Sequence, residues 1–141
     1  MRKLPTLAVA SMLCVFALTA CEDEDKDKEA LKKDCPAAPA AMTGSHALPG
    51  AFPAPSDMVF TSVEKDGPST IAEGYLHGEI SEAHQAVADA VKGASGYDVT
   101  KEEQDVADSE VNFSGAGNSG QVKMNQTCRD RTDVKITIRP A

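Results

Sequence analysis

The C-terminal part of the chain alternates between apolar and polar positions in short runs. Val111 and Phe113 alternate with polar neighbours, as do Ile136 and Ile138 near the C-terminus. Residues two apart on a β-strand point to the same face, so this pattern predicts strands with one buried and one solvated face. Four such segments follow the predicted helix, at 97–100, 110–113, 121–125 and 134–139.

A β-hairpin is predicted ahead of these segments. Residues 58–63 are rich in β-branched and aromatic side chains and are followed by Asp66-Gly67, which is a strong turn signal. Residues 69–76 are then the expected partner strand.

One amphipathic helix is predicted between the hairpin and the later strands. Apolar residues from Ile80 to Ala94 recur at helical spacing, with Ser81 as the expected N-cap and Gly96 as the expected stop. This helix is the only element available to cover the apolar face of the sheet. We therefore predict an α+β two-layer sandwich of an antiparallel sheet and one helix, in the order β-β-α-β-β-β. This order assigns three strands to the four alternating segments.

The part of the chain before the hairpin cannot form a core of its own. Residues 22–34 contain one Ala and one Leu among charged side chains, and five of the eight prolines lie between Cys35 and Asp57. Such compositions favour solvated or extended chain. We predict a tether over residues 21–47 and a folded domain over residues 48–141.

The first 20 residues are typical of an export signal. Arg2 and Lys3 precede an uncharged, apolar stretch. The stretch is at the lower limit of the length needed to cross a bilayer, and Pro5 further disfavours a membrane-spanning helix.

The end of this signal resembles the lipobox of bacterial lipoproteins. The lipobox has a Leu-type residue, two small residues and an obligatory Cys, which Leu18, Thr19, Ala20 and Cys21 match. The resemblance implies cleavage after Ala20, diacylglycerol on the Cys21 sulfur and further acylation such as palmitate. Two or more acyl chains hold a small protein stably on a membrane.

The remaining cysteines then form a possible pair. Cys14 leaves with the signal and Cys21 carries the lipid, so Cys35 and Cys128 remain in an oxidising compartment. A disulfide between them is expected. Two free thiols, or bonds between two chains, are the alternatives.

The negative net charge excludes nucleic acid as a partner. The chain has 14 Lys and Arg against 22 Asp and Glu, and removal of Arg2 and Lys3 brings the balance to −10. Such a chain is repelled by nucleic acid and by anionic headgroups, which leaves the Cys21 lipid as the hold on the membrane.

No pattern in the chain predicts a catalytic, metal or cofactor site. Residues 115–120 read G-x-G-x-x-G, but the strand pattern that follows does not fit a dinucleotide site, so a hairpin connection is expected. His46, His77 and His84 lack metal-ligand spacing, and we expect His77 and His84 to be exposed at the helix entrance. There is no G-x-S-x-G motif for a nucleophilic serine.

The overall layout resembles small actinobacterial cell-envelope lipoproteins of unassigned function. The resemblance rests on the lipidated Cys, the short linker, the segment LPGAFPAPSDMVFTSV, a helix that ends in Gly-Tyr and a closing hairpin with one Cys. It implies a membrane-anchored, extracytoplasmic protein. We expect a non-enzymatic domain that binds an envelope protein or a small ligand. A carrier or an unrecognised enzyme of the envelope is the alternative.

Overall fold

The computed structural model describes residues 34–44 and 46–141. The export signal, the predicted lipid attachment at Cys21 and nearly all of the charged segment 22–34 lie outside the described residues. No helix within the described ranges is long and apolar enough to cross a membrane.

The described chain folds into one antiparallel sheet with an α-helix on one face. The sheet order is β1-β2-β6-β5-β4-β3, so the C-terminal strand lies in the middle. A 3-10 turn at Pro49–Ala51 precedes the sheet. The elements are β1 (Val59–Asp66), β2 (Ser69–His77), α1 (Ile80–Gly93), β3 (Tyr97–Gln104), β4 (Asp108–Gly115), β5 (Asn118–Cys128) and β6 (Arg131–Pro140).

The predicted α+β sandwich is confirmed, whereas the order β-β-α-β-β-β is one strand short. Each of the four alternating segments after the helix forms its own strand, because a turn separates each from the next. Residues 115–120 form the β4–β5 hairpin. Ala116 and Gly117 both have positive φ, 48° and 75°, as a tight two-residue hairpin turn requires.

The core lies between α1 and the inner face of the sheet. Alternate residues of β4, β5 and β6 point inward, while their neighbours point to solvent on the outer face. The helix packs mainly against β3, β4 and β5. The core includes the fully buried side chains Leu76, Val87, Val91, Val111, Phe113, Val122, Met124, Ile136 and Ile138.

The N-cap of the helix lies two residues earlier than the sequence suggested. Glu79, not Ser81, is the N-cap, since its side chain accepts from the backbone of the first turn while Glu82 accepts from the Glu79 N–H at 3.1 Å. This reciprocal arrangement satisfies two backbone donors that a helix end leaves free. The helix ends at Gly93, before the Gly96 that was the expected stop.

The proline-rich segment also covers the inner face, so the expectation that the helix alone does so was wrong. Leu48, Phe52 and Met58 are buried in the core. The Phe52 ring lies 4.5 Å from the Phe113 ring and 5.9 Å from the Tyr97 ring, centroid to centroid. The Tyr97 hydroxyl donates to the Gly50 carbonyl at 2.8 Å, and burial raises its pKa.

The expected disulfide forms within one chain. Cys35 and Cys128 are bonded, with their Cα atoms 5.2 Å apart and 93 residues apart in sequence. The bond therefore closes a loop that contains every described strand except β6. In the chain-entropy account a loop of this length restricts the unfolded state by about 4 to 5 kcal/mol, a large share of a small domain's stability.

We predict that Ile136→Ala lowers the free energy of unfolding by about 2 to 5 kcal/mol, because Ile136 is 1 % exposed at the centre of the core. Lys135→Ala is the matched control. Lys135 lies on the outer face and forms an exposed ion pair with Glu73 at 3.2 Å, so its loss should cost less than about 1 kcal/mol. Denaturant unfolding measures both, and equal losses would contradict the one-sided burial of β6.

Candidate functional site

A histidine, a serine and a glutamate meet where the helix packs on the sheet. His84 of α1 lies with its Nδ1 2.5 Å from the Ser109 Oγ of β4. On the other side of the ring, Nε2 lies 3.9 Å from the Glu102 carboxylate of β3, which also pairs with Lys92. His84 and Ser109 are buried, at 8 % and 4 % exposure. A serine hydroxyl beside a histidine, with a carboxylate on the other side of the ring, is also the arrangement that activates a nucleophilic serine in enzymes.

The arrangement does not suit Ser109 to act as a nucleophile. Ser109 shares the inner face of β4 with Val111 and Phe113, so its hydroxyl lies beneath the helix rather than in a cleft. The hydroxyl also donates to the Glu103 carbonyl at 3.0 Å. Since a hydroxyl has one hydrogen, its oxygen then accepts from His84 Nδ1–H, and that nitrogen is not a base. The cluster instead joins the helix to the sheet through satisfied polar groups.

The burial of His84 corrects the expectation that it would be exposed. Position 84 falls on the inward stripe of α1 with Ile80, Val87 and Val91, which the apolar spacing of the helix already defines. His77 is exposed as predicted, at the end of β2, where its ring meets the Tyr75 ring edge-on. Among residues 34–44 and 46–141, no three His, Cys, Asp or Glu side chains come together as a metal site.

The outer face of the sheet is polar, and many of its side chains bond to one another. Lys123 lies 3.9 Å from Glu110, and Asn112 donates to Glu110 at 2.6 Å. The Asn112 hydrogen bond lowers the pKa of the Glu110 carboxyl. Gln121 in turn donates to Asn112 at 3.4 Å. Over β3, β4 and β5 this face consists of amides, hydroxyls and alternating charges.

An open groove of about 720 Å³ lies at one end of this outer face. Its lining is mainly polar, and four of its five charged side chains are acidic. The groove runs from the β3–β4 loop to the adjacent part of β5. Ser109 and Met124 line it although their side chains are buried on the opposite face. The other residues that line the groove are Glu103, Gln104, Asp105, Asp108, Glu110, Lys123 and Asn125.

A different part of the outer face is crossed by residues 35–42, which we call the strap. The disulfide fixes its first residue to Cys128, and the Pro36 carbonyl accepts from Arg131 Nη1 at 2.8 Å. At the far end, the Met42 N–H donates to the Phe60 carbonyl at 2.7 Å. Pro39 lies beside the middle of the sheet. The strap therefore covers one side of the outer face and leaves the β3–β5 side open.

Arg131 is the buried cation beneath the strap. It is 5 % exposed, lies 5.9 Å above the Tyr75 ring centroid, and faces Asp133 at 3.6 Å from Nε. Nε has no hydrogen-bond partner among the described residues. Neither Arg131 nor the Ser109 pairing was identified from the sequence, because each depends on contacts between distant segments.

We predict that Ser109→Ala lowers the free energy of unfolding by about 1 to 3 kcal/mol, because it leaves His84 Nδ1 buried without its partner. Ser119→Ala, at an exposed position of β5, is the control and should change stability by less than about 0.5 kcal/mol. Chemical denaturation of both variants gives the comparison.

Labelling with a serine-reactive probe tests whether Ser109 is a structural hydrogen-bonding group or a catalytic nucleophile. Ser109 should not react with a fluorophosphonate probe, because its hydroxyl faces the covered side of the sheet. Labelling of the wild-type protein that disappears in Ser109→Ala, with little loss of stability, would contradict the structural role.

Comparison with known proteins adds no functional assignment to this geometry. No protein-family model, no curated protein and no solved structure matches the chain.

Proposed function

We propose that the protein is a membrane-anchored, extracytoplasmic lipoprotein whose small domain binds another envelope protein through the open side of its outer sheet face. The observation that carries the binding proposal is this uncovered polar surface over β3, β4 and β5. The strap crosses the β2 and β6 part of this outer face, and α1 and the proline-rich segment cover the inner face.

The anchor proposal rests on Cys21 and is supported by the cysteine pair. The lipobox match at residues 18–21 marks Cys21 for lipidation. Cys35 and Cys128 form a disulfide, and such bonds persist mainly in exported proteins. Cys35 directly follows the charged segment 22–34, so the cross-link lies close in sequence to the proposed attachment point at Cys21.

A protein partner is favoured over the two alternative functions. The Ser109 hydroxyl lies on the covered face, which disfavours the hydrolytic enzyme. Pockets for small ligands are usually lined by apolar and aromatic side chains, whereas the 720 Å³ groove is lined by charged and amide groups. Because carboxylates predominate there, a partner segment that carries Lys or Arg would be attracted to this end of the face.

We predict that Cys21→Ser abolishes labelling by a fatty-acid probe and leaves an uncleaved precursor. Cys35→Ser is the control, since it removes a thiol outside the lipobox and should leave labelling intact. Metabolic labelling followed by mass analysis measures both. A labelled Cys21→Ser protein would refute the anchor.

We predict that a photo-crosslinking residue at Lys123 captures a specific protein in cells, whereas one at Gln85 does not. Both positions are exposed, but Lys123 lies on the outer face and Gln85 on the solvent side of α1. Identical products from both positions would contradict a partner at the outer face. A small molecule that co-purifies with the domain, without a cross-linked protein, would support the carrier instead.

A further inference from the structure

The two sulfurs of the disulfide have different surroundings. Cys35 is an exposed residue at the start of the strap. Cys128 is fully buried at the end of β5, where its register partner on β6 is Arg131. An external thiol therefore meets Cys35 first, and Cys128 lies next to a buried positive charge.

The position of Arg131 suits it to stabilise a thiolate at Cys128. Cys128 and Arg131 are opposite each other in the β5–β6 ladder, and the guanidinium donates to Pro36, the residue that follows Cys35. Nearby Arg or Lys favours the thiolate form of cysteine. A better-stabilised leaving thiolate departs faster in thiol–disulfide exchange. Asp133 at 3.6 Å balances part of this charge but leaves Arg131 Nε without a hydrogen bond.

The strap has few other contacts that would hold it in place. Residues 36–41 read Pro-Ala-Ala-Pro-Ala-Ala and are all exposed. Their ends are held by the Arg131 and Met42 hydrogen bonds. Ordering a peptide segment costs conformational entropy at each residue, and burial of apolar surface does not offset it here. The disulfide is therefore the main bond that holds the strap against the sheet.

We propose that Cys35–Cys128 is an exchange-competent disulfide that releases the strap when an external dithiol reduces it. A thiolate of the dithiol attacks the Cys35 sulfur. A new sulfur–sulfur bond forms there, the Cys35–Cys128 bond breaks, and its electron pair goes to the Cys128 sulfur beside Arg131.

The second thiol of the dithiol completes the exchange. It attacks the dithiol's own sulfur in the mixed disulfide, and Cys35 leaves as a thiolate. The protein ends as two thiols and the reductant as a disulfide, so atoms and electrons balance. Release of the strap uncovers Tyr75 and Arg131 on the outer face. The proposal requires that the core, which lies on the opposite face of the sheet, stays folded without the cross-link.

Hydrogen exchange of the full chain, purified in its oxidised form, tests strap release. After dithiothreitol is added, the Met42 amide should exchange at least tenfold faster, since its partner on β1 is lost. Amides in the centre of β5 and β6 should keep their protection. Loss of protection in those strands together with Met42 would show that the bond is only a structural staple and overturn the proposal.

Adduct mapping tests which sulfur is attacked. With glutathione, a monothiol, the mixed disulfide should form on Cys35 and leave Cys128 open to alkylation, as peptide mass analysis would show. Adducts on Cys128, or equal amounts on both, would contradict the proposed direction. This measurement needs no variant and does not depend on the lipid anchor.

A pair of variants tests the contribution of the positive charge. Arg131→Gln should be reduced several-fold more slowly by dithiothreitol than Arg131→Lys, which keeps the charge. Equal or faster reduction of Arg131→Gln would overturn the leaving-group role. If Arg131→Gln does not fold, the glutathione adduct on the wild-type protein still tests which of the two sulfurs is attacked and which one leaves.

Discussion

The pairing of β6 with both β2 and β5 is the constraint on which the whole fold depends. Among the described strands, the N-terminal hairpin β1–β2 and the three strands β3–β5 share no ladder, and β6 alone pairs with both groups. Ile136 illustrates the position, since it pairs with Ala72 on one side and Val122 on the other. β6, which follows the other described strands in sequence, therefore completes the sheet, and its contacts with β2 are distant in sequence, which slows folding.

Local patterns were sufficient to predict the elements but not their neighbours. Period-two alternation marked all four strands after the helix, and Asp66-Gly67 marked the first hairpin. Sheet order could not be read from these patterns because the apolar residues of each strand fit any neighbouring strand equally well. The predicted order missed one strand although the four segments were visible. The cap at Glu79 was missed because Glu is a less common N-cap than Ser, and it works here only through its reciprocal bond with Glu82.

The polar sites were predicted less well, since their chemistry arises from long-range contacts. The pairing of Cys35 with Cys128 followed from counting cysteines once an exported compartment was assumed. The inward position of His84 could have been read from the apolar stripe of α1, but its pairing with Ser109 could not. The burial of Arg131 was not predictable, because the strap that covers it is distant in sequence. Phe52 was hidden in the same way: it lies among prolines that indicate extended chain, yet its ring fills the space beside Phe113. The His84–Ser109 pair is buried between the helix and the sheet, whereas Arg131 is buried beneath the strap.

The disulfide also determines where a mechanical load would enter the domain. A pull on the chain before Cys35 passes through the sulfur–sulfur bond to Cys128 in β5, a strand held on both sides by β4 and β6. Without the bond, the same force would travel along residues 36–58 to β1, an edge strand that can be peeled from β2 one hydrogen bond at a time. The cross-link thus redirects tension from an edge strand of the sheet to a strand in its interior.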